Sequence, residues 1–392
     1  MVGTELEGLN LLFFRPSITV TGGAVTAYNP TGGYDAELNL GHDRSVGWTH
    51  TNQAFGGYWG AEASVMRDLP GLEDWLGKLG YCIQAIAPDG TRVWEGFVNE
   101  VEVVTGGRSV SRGPLLDVAN WVLVSYSRIY ETLTRPATGA DSVTTAAYDA
   151  GSMGKYGLLE SILTGGSCTL DSAEQYRDLF LAENKEPQTG RAGGGGIGAR
   201  ISCLGYAHLL NKFAFADATS GTQAVSDRIT AVLAACPNAG LFPALQPGIV
   251  SNPLLVHRRM DAQELGLNVI KGLVDLGDAS DNRWLFGVWN DRLVQYQPAP
   301  TSIAYYQRVS DAAQRYLTRG GAEVKPWAMR PGNWILYADV LPGTTLPSVF
   351  REDMRIEFIE SVTFTAPYGV EYTGLKISKL GHYLAKLGLG VI

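Results

Sequence analysis

Two stretches far apart in this chain can be laid over each other without a gap: GFVNEVEVVTGGRSVSRG (96–113) on EFIESVTFTAPYGVEYTG (357–374). Phe97 falls on Phe358, Val101 on Val362 and Gly113 on Gly374. Each stretch reads as a β-hairpin, turning at Gly106-Gly107 in the first and near Pro367-Tyr368-Gly369 in the second. Identity is weak, so the shared alternation carries the match. One face of each leading strand is apolar: Phe97, Val101 and Val103, then Phe358, Val362 and Phe364. The opposite face is polar, with Glu100 and Glu102 in one hairpin and Ser361 and Thr363 in the other. Such alternation predicts a sheet with one dry and one wet face. Phe97, Val101, Phe358 and Val362 are therefore expected in the core.

The match extends to an order of elements. A strand over Tyr58–Arg67 leads to a helix from about Pro70, with Leu72, Trp75, Leu76 and Leu79 on one side and Gly80 at its end. A hairpin follows over Tyr81–Glu95, turning at Pro88-Asp89-Gly90. The second copy has a strand over Leu254–Arg258. Its helix opens on Asp261 and Glu264, close to a capping box, and carries Leu265, Val269, Leu273 and Leu276 along one face. Its hairpin spans Trp284–Gln297, turning at Asn290-Asp291. The repeated order predicts a duplicated domain over 1–128 and 250–392, separated by a mixed α/β region over 129–249. In that region ISCLGYAHLLNKFAF (201–215) echoes VSRGPLLDVANWVLV (110–124), each a strand running into an apolar helix with Asn120 and Asn211 in register. Helices are also expected over Gly157–Thr164, Ser172–Glu183 and Asp227–Ala235, the last capped by Ser226. Pro136–Gly151 and the glycine run Gly190–Gly198 read as loops. The fold class is mainly β with α, an α+β chain of two duplicated barrel or sandwich domains, each with a helix.

Composition narrows the function. A length of 392 residues leaves room for two or three domains. With 45% hydrophobic and 18% charged residues, the chain is globular rather than disordered. A net charge of −8 provides no large basic footprint for nucleic acid, and His257-Arg258-Arg259 reads as a solvated strand edge. Glu5 and Glu7 stand where a secretion signal would carry Lys or Arg, and no apolar run approaches the ~18 residues of a membrane span. Cys82, Cys168, Cys203 and Cys236 form no C-x-x-C pair and read as buried thiols in a reducing cytosol.

Catalytic constellations are missing. There is no H-E-x-x-H and no G-x-S-x-G. After Gly151-Ser-Met-Gly-Lys155, Tyr156 occupies the place a P-loop gives to Ser or Thr. The run Gly193–Gly198 lacks the βαβ setting of a dinucleotide fingerprint. Among the histidines, His42, His50, His208, His257 and His382, only His42 has an adjacent carboxylate, Asp43, and the two read as a surface pair. Glu5/Glu7 and Glu357/Glu360 fall on strands or exposed ends, not across a cleft. No enzyme activity, catalytic residue, metal or cofactor is expected.

The segment DGTRVWEGFVNEVEV (89–103), with DASDNRWLFGVWNDRLVQYQPAP (278–300) and EFIESVTFTAPYGVEYTG (357–374), resembles the tail-tip proteins of tailed bacteriophages, in particular the baseplate hub or minor tail proteins. The resemblance runs over most of the chain by order of elements, has no diagnostic motif, and leaves 129–200 unmatched. It implies two tube-like β-domains per chain, related to the tail tube protein. It also implies a homotrimer whose six such domains form a pseudo-hexameric ring between the six-fold tube and the three-fold tip. A trimer meets a hexameric surface only if each chain offers two similar faces. The implied partners are a distal tail or tail tube protein, a tape measure protein, and tip spike or fibre proteins. The implied location is the virion tail tip, after assembly in the host cytoplasm. DNA would pass through the ring without specific binding. In such a ring Glu100, Glu102, Ser361 and Thr363 are expected to face the channel, where like charge keeps phosphate from sticking. The alternative is that they face outside solvent. Other readings stay open: a distal tail ring protein, a tail-associated cell-wall hydrolase, or a carbohydrate-binding module using the many Trp and Tyr residues.

Overall fold

The computed structural model describes residues 9–40, 46–66, 71–129, 138–193, 197–215, 221–243, 248–257, 264–280, 282–308, 315–318, 320–337, 355–366 and 369–376. Alternating residues build the first four strands, β1 (Asn10–Thr21), β2 (Ala24–Asn39), β3 (Val46–Gln53) and β4 (Phe55–Val65). Gly22 and Gly23, both at positive φ, make the two-residue turn between β1 and β2. In β3 the alternation is strict: Val46, Trp48, His50 and Asn52 are buried and the residues between them half-exposed. The helix expected from Pro70 is a single α turn, α1 (Leu72–Trp75), continued by a 3-10 turn over Leu76–Lys78. Trp75 still reaches the core, edge-on to Phe13 at 5.2 Å. Strands β5 (Cys82–Ile86), β6 (Arg92–Thr105) and β7 (Arg108–Arg112) follow, so the two predicted hairpins share the long strand β6.

The middle of the chain departs from expectation. It contains β8 (Trp121–Ile129), β9 (Thr138–Val143), β10 (Ala147–Tyr148), α2 (Ala150–Tyr156), β11 (Glu160–Cys168), α3 (Leu170–Asn184), β12 (Thr189–Gly193), β13 (Gly198–Leu204), β14 (Ala214–Phe215), β15 (Thr222–Ala224) and α4 (Val225–Ala234). The segment expected as the helix Gly157–Thr164 is largely strand β11, because it pairs in parallel with β8. Tertiary pairing overrides local propensity there. Asn120 does not lie on a helix. It is fully buried ahead of β8, where its side chain accepts the Leu159 N–H at 2.8 Å and donates to the Gly157 carbonyl at 2.8 Å. Ser226 lies inside α4 and does not cap it; its hydroxyl donates to the Asn252 carbonyl at 3.4 Å. The glycine run expected as a loop is strand at both ends, in β12 and β13.

The remaining elements are β16 (Leu255–His257), β17 (Glu264–Leu265), α5 (Gly266–Asp275), β18 (Trp284–Val288), β19 (Val294–Pro298), β20 (Ile303–Gln307), β21 (Tyr316–Thr318), β22 (Trp334–Tyr337), β23 (Arg355–Ala366) and β24 (Gly369–Lys376). Asp261 of the expected capping box, Pro367 and Tyr368 of the second turn, and Glu5, Glu7, His42, Asp43 and His382 lie outside the described residues.

The fold is mainly β with α. Sixteen strands form one hydrogen-bonded sheet, and β8 to β11 form a separate four-stranded sheet against α3. Among the described residues no barrel closes within a single chain. The first and last parts of the chain join edge to edge, β3 antiparallel to β23 and β4 parallel to β18. Two large cores lie against the sheet. One holds Phe13, Trp48, Trp94, Val101 and Phe364. The other holds Phe97, Tyr206, Ile229, Ile270, Phe286 and Tyr296, and includes the inner faces of α4 and α5.

Acid should destabilise this packing. His50 is buried, and its Nδ1 accepts the Trp48 indole N–H at 2.9 Å. Burial, aided by the nearby charge of Arg330, pushes its pKa down to about 3. His208, against Trp59 at 4.1 Å between ring centroids, is lowered by burial to about 4. The unfolded chain takes up these protons near pH 6.5, whereas the folded chain resists until pH 3 to 4. Stability is therefore whole above about pH 6.5 and falls below it, by roughly 1.4 kcal/mol per pH unit for each histidine. Thermal melts at a series of pH values should show this loss, reduced in His50→Gln. A melting temperature constant from neutral pH to about pH 4.5 would contradict the assignment.

Candidate functional site

Strand β6 has β5 and β7 end to end along one side and β13 along the other. Its ladder with β13 slips by one residue: Glu100 stands opposite Ser202 but Val98 opposite Cys203, leaving Asn99 as a β-bulge. Strand β23 repeats the arrangement. It has β22 and β3 end to end along one side and β24 along the other. Ser361 stands opposite Thr373 and Ile359 opposite Gly374, leaving Glu360 as the bulge. Asn99 and Glu360 are matching positions in the gapless overlay.

The likeness extends to single bonds. Val98 accepts from the Gly80 N–H and donates to the Tyr81 carbonyl, both at 2.9 Å. Ile359 accepts from Gly332 at 2.8 Å and donates to Asn333 at 2.9 Å. Gly80 and Gly332 have φ of 80° and 81°, a conformation that favours glycine. Cys82 then pairs with Phe97, and Trp334 with Phe358. The counterpart of β5 is thus β22, not the hairpin Trp284–Gln297. That hairpin exists, as β18 and β19, but its strand β18 pairs in parallel with β4 instead.

The bulges change which residues share a face. Phe97, Val101, Phe358 and Val362 are all buried. However, Phe97 lies on the Glu100 side of β6 and packs against Tyr206 at 5.9 Å, while Val101 joins Trp48 and Trp94 on the other side. Likewise Phe358 lies on the Ser361 side, against Trp334 at 4.8 Å, and Val362 packs with Ile335 and Met329 on the other. The single apolar face expected of each strand is corrected to two, exchanged at the extra residue.

A second correction concerns the returning strands. Strand β7 comes back on the β5 side of β6, whereas β24 comes back on the side of β23 opposite β22. The overlay of 108–113 on 369–374 is therefore not a structural equivalence. By position, β3 matches β7 and β24 matches β13. Two half-sheets of the same pattern result, β24-β23-β3-β4 and β13-β6-β7-β12. The antiparallel pairing of β4 with β13 joins them into eight consecutive strands.

Glu100, Glu102, Ser361 and Thr363 all lie on one face of this eight-stranded sheet, and all are half-exposed. Sequence reasoning missed the residues that connect them. Thr51 bonds Thr363 at 3.0 Å, Thr49 bonds Thr365 at 3.2 Å, and Arg200 meets Glu62 at 2.7 Å. The alternation VGWTHTNQ (46–53) carried that signal. The Glu62 carboxylate, first as hydrogen-bond acceptor and then as charge, holds the Arg200 guanidinium above its ordinary pKa. The acidic groups Glu62, Glu100 and Glu102 outnumber this arginine. The reverse face carries Trp48, Ala63, Ile201, Val101 and Phe364, all buried in one core.

Glu357 is buried, while Glu360 is bound to Arg283 at 2.8 Å. Among the described residues no group of three His, Cys, Asp or Glu is placed to hold a metal, and no helix is long and apolar enough to cross a membrane.

No protein-family model matches the sequence, and no curated protein matches it. Among solved structures, the chain is similar to the tail protein from Neisseria meningitidis MC58, at 9% identity and a TM-score of 0.43, over 97% of this chain and 99% of that one. It is also similar to the Escherichia coli c3393 protein, a component of the type VI secretion system described as structurally similar to the T4 bacteriophage tail proteins gp27 and gp5. That likeness is 9% identical, with a TM-score of 0.29, over 85% of this chain and 74% of that one.

Proposed function

We propose that the chain is the structural hub of a bacteriophage tail tip, a homotrimeric ring that joins a six-fold tail tube to a three-fold tip and leaves a channel for DNA. The observation that carries this reading is the repeat within the sheet. Each chain offers two four-stranded half-sheets with the same bulge, the same preceding glycine contact and the same order of neighbours. Three copies then present six equivalent walls, as a junction between three-fold and six-fold partners requires. The continuous polar face forms the inner wall, since its reverse is already buried in the chain's own core. Wall residues are Glu100, Glu102, Ser361 and Thr363, joined by Thr49, Thr51 and Glu62. The wall is acidic and hydroxylic, so DNA passes without being held.

The two tube-like units are these half-sheets, each with its associated strands and helices. The middle region around β8, β11 and α3 stands apart from the wall. The partners under this reading are a distal tail or tail tube protein above, a tape measure protein, and spike or fibre proteins below. The protein resides in the virion, and no catalytic step is part of its role. Mass measurement of the purified protein and images of tail tips should both show a three-copy ring. A single copy per particle, or a ring of six, would overturn the reading.

A further inference from the structure

The polar sheet ends in β12 on one side and β24 on the other. We propose that β12 of one copy pairs antiparallel with β24 of a second copy, in a register set by the junction already present inside each chain. This rests on the ring reading above. Among the described residues β12 pairs only with β7, and β24 only with β23. Each therefore presents a row of backbone N–H and C=O groups to a further strand.

The internal junction supplies the template. Strand β24 occupies in its half-sheet the place of β13, and β12 occupies the place of β4. Thr373 corresponds to Ser202, because they stand opposite the matching residues Ser361 and Glu100. Gly369 then falls on Gly198, and both ladders shift at the same bulge. On the other side, Ser111 and Thr51 stand opposite the matching residues Glu102 and Thr363. Their outer partners are Gly190 and Gly60, so these two glycines correspond. By the same count Ala192 corresponds to Glu62.

Within the chain Gly60 pairs with Leu204, Ala61 with Cys203 and Glu62 with Ser202. Transferred to the seam, Gly190 faces Leu375, Arg191 faces Gly374 and Ala192 faces Thr373 of the second copy. The sequence of β12, TGRAG, suits this place. Glycine in a strand packs little of its own and admits a close neighbouring backbone.

The test is a full-length variant carrying Ala192→Cys and Thr373→Cys, with each single substitution as a control. A slipped pair, Ala192→Cys with Tyr372→Cys, places its thiols on opposite faces of the seam. Mild oxidation should give a reducible covalent trimer from the matched pair and none from the slipped pair. Mass measurement before oxidation reports the assembly separately. In the unaltered protein, amide exchange over 189–193 and 369–376 should slow on trimerisation, a readout that needs no variant to fold. A trimer that does not link through the matched pair, or that links through the slipped one, overturns the seam and leaves the ring. A protein that stays monomeric when concentrated and in tail tips overturns both.

Discussion

If the polar face lines a DNA channel as proposed, phage particles carrying Glu100→Lys and Glu102→Lys in this protein should adsorb to cells and fail to deliver their DNA. The two carboxylates lie side by side on the polar face, one opposite Ser202 and the other opposite Arg200. In a three-copy ring the change places about six ammonium groups where like charge had kept the phosphate backbone away. A protein that neutralises six or more phosphates gains orders of magnitude in affinity at low salt. Plaque titre is expected to fall on the order of 10³-fold, and DNA release in vitro should slow strongly and recover as salt is raised. Glu100→Gln with Glu102→Gln removes the repulsion without adding attraction and should have a small effect. Both positions are half-exposed, so folding should change by less than about 1 kcal/mol. Assembled Lys variants that eject DNA at the native rate would show that this face looks outward.

Much of this polar face was legible in the sequence, and the reason is physical. A strand with one buried face must alternate, so Glu100 and Glu102 could be placed opposite Val101 and Val103 from residue types alone. The hairpins Phe97–Ser111 and Trp284–Gln297 were legible because Gly106-Gly107 and Asn290-Asp291 mark turns. The bulges were not. Asn99 stands beside Glu100 and Glu360 beside Ser361, and nothing local says that one of two adjacent polar residues is extra rather than part of the alternation. Alternation carried straight through the bulge sets Phe97 and Phe358 on the wrong side of their strands. The direction of return was hidden too, because either edge of β6 or β23 accepts an antiparallel strand equally well. Strand β11 read as a helix since its fate depends on β8, more than thirty residues away. Non-local pairing of that kind leaves no mark in a local window.

Deleting Asn99 should prevent folding, although Asn99 is one polar residue in a long strand. With the bulge, Phe97 and Val98 enter opposite cores and Val101 follows Val98. Without it, the chain must slip by one on one side of the deletion. Either Phe97 and Val98 exchange faces, driving the ring of Phe97 toward Trp94, or Val101 and Val103 move to the polar face and Glu100 and Glu102 enter the apolar core. Burying two carboxylates without partners costs several kcal/mol each. Misplacing Phe97 forfeits about 3–5 kcal/mol and overfills the opposite core. Either loss is comparable to the ~5–15 kcal/mol that holds a typical domain together. Lost as well is the Asn99 side-chain oxygen, which accepts the Leu116 N–H at 3.2 Å. Deleting Glu360 should do the same to β23, since it separates Phe358 from Val362 in the same way. The substitution Asn99→Ser keeps the extra residue and should cost only about 1–2 kcal/mol, from the lost hydrogen bond. Soluble yield and near-UV circular dichroism distinguish these cases. If the Asn99 deletion gave a soluble protein melting within a few degrees of the parent, the bulge would not be what sorts this strand's residues between the two cores.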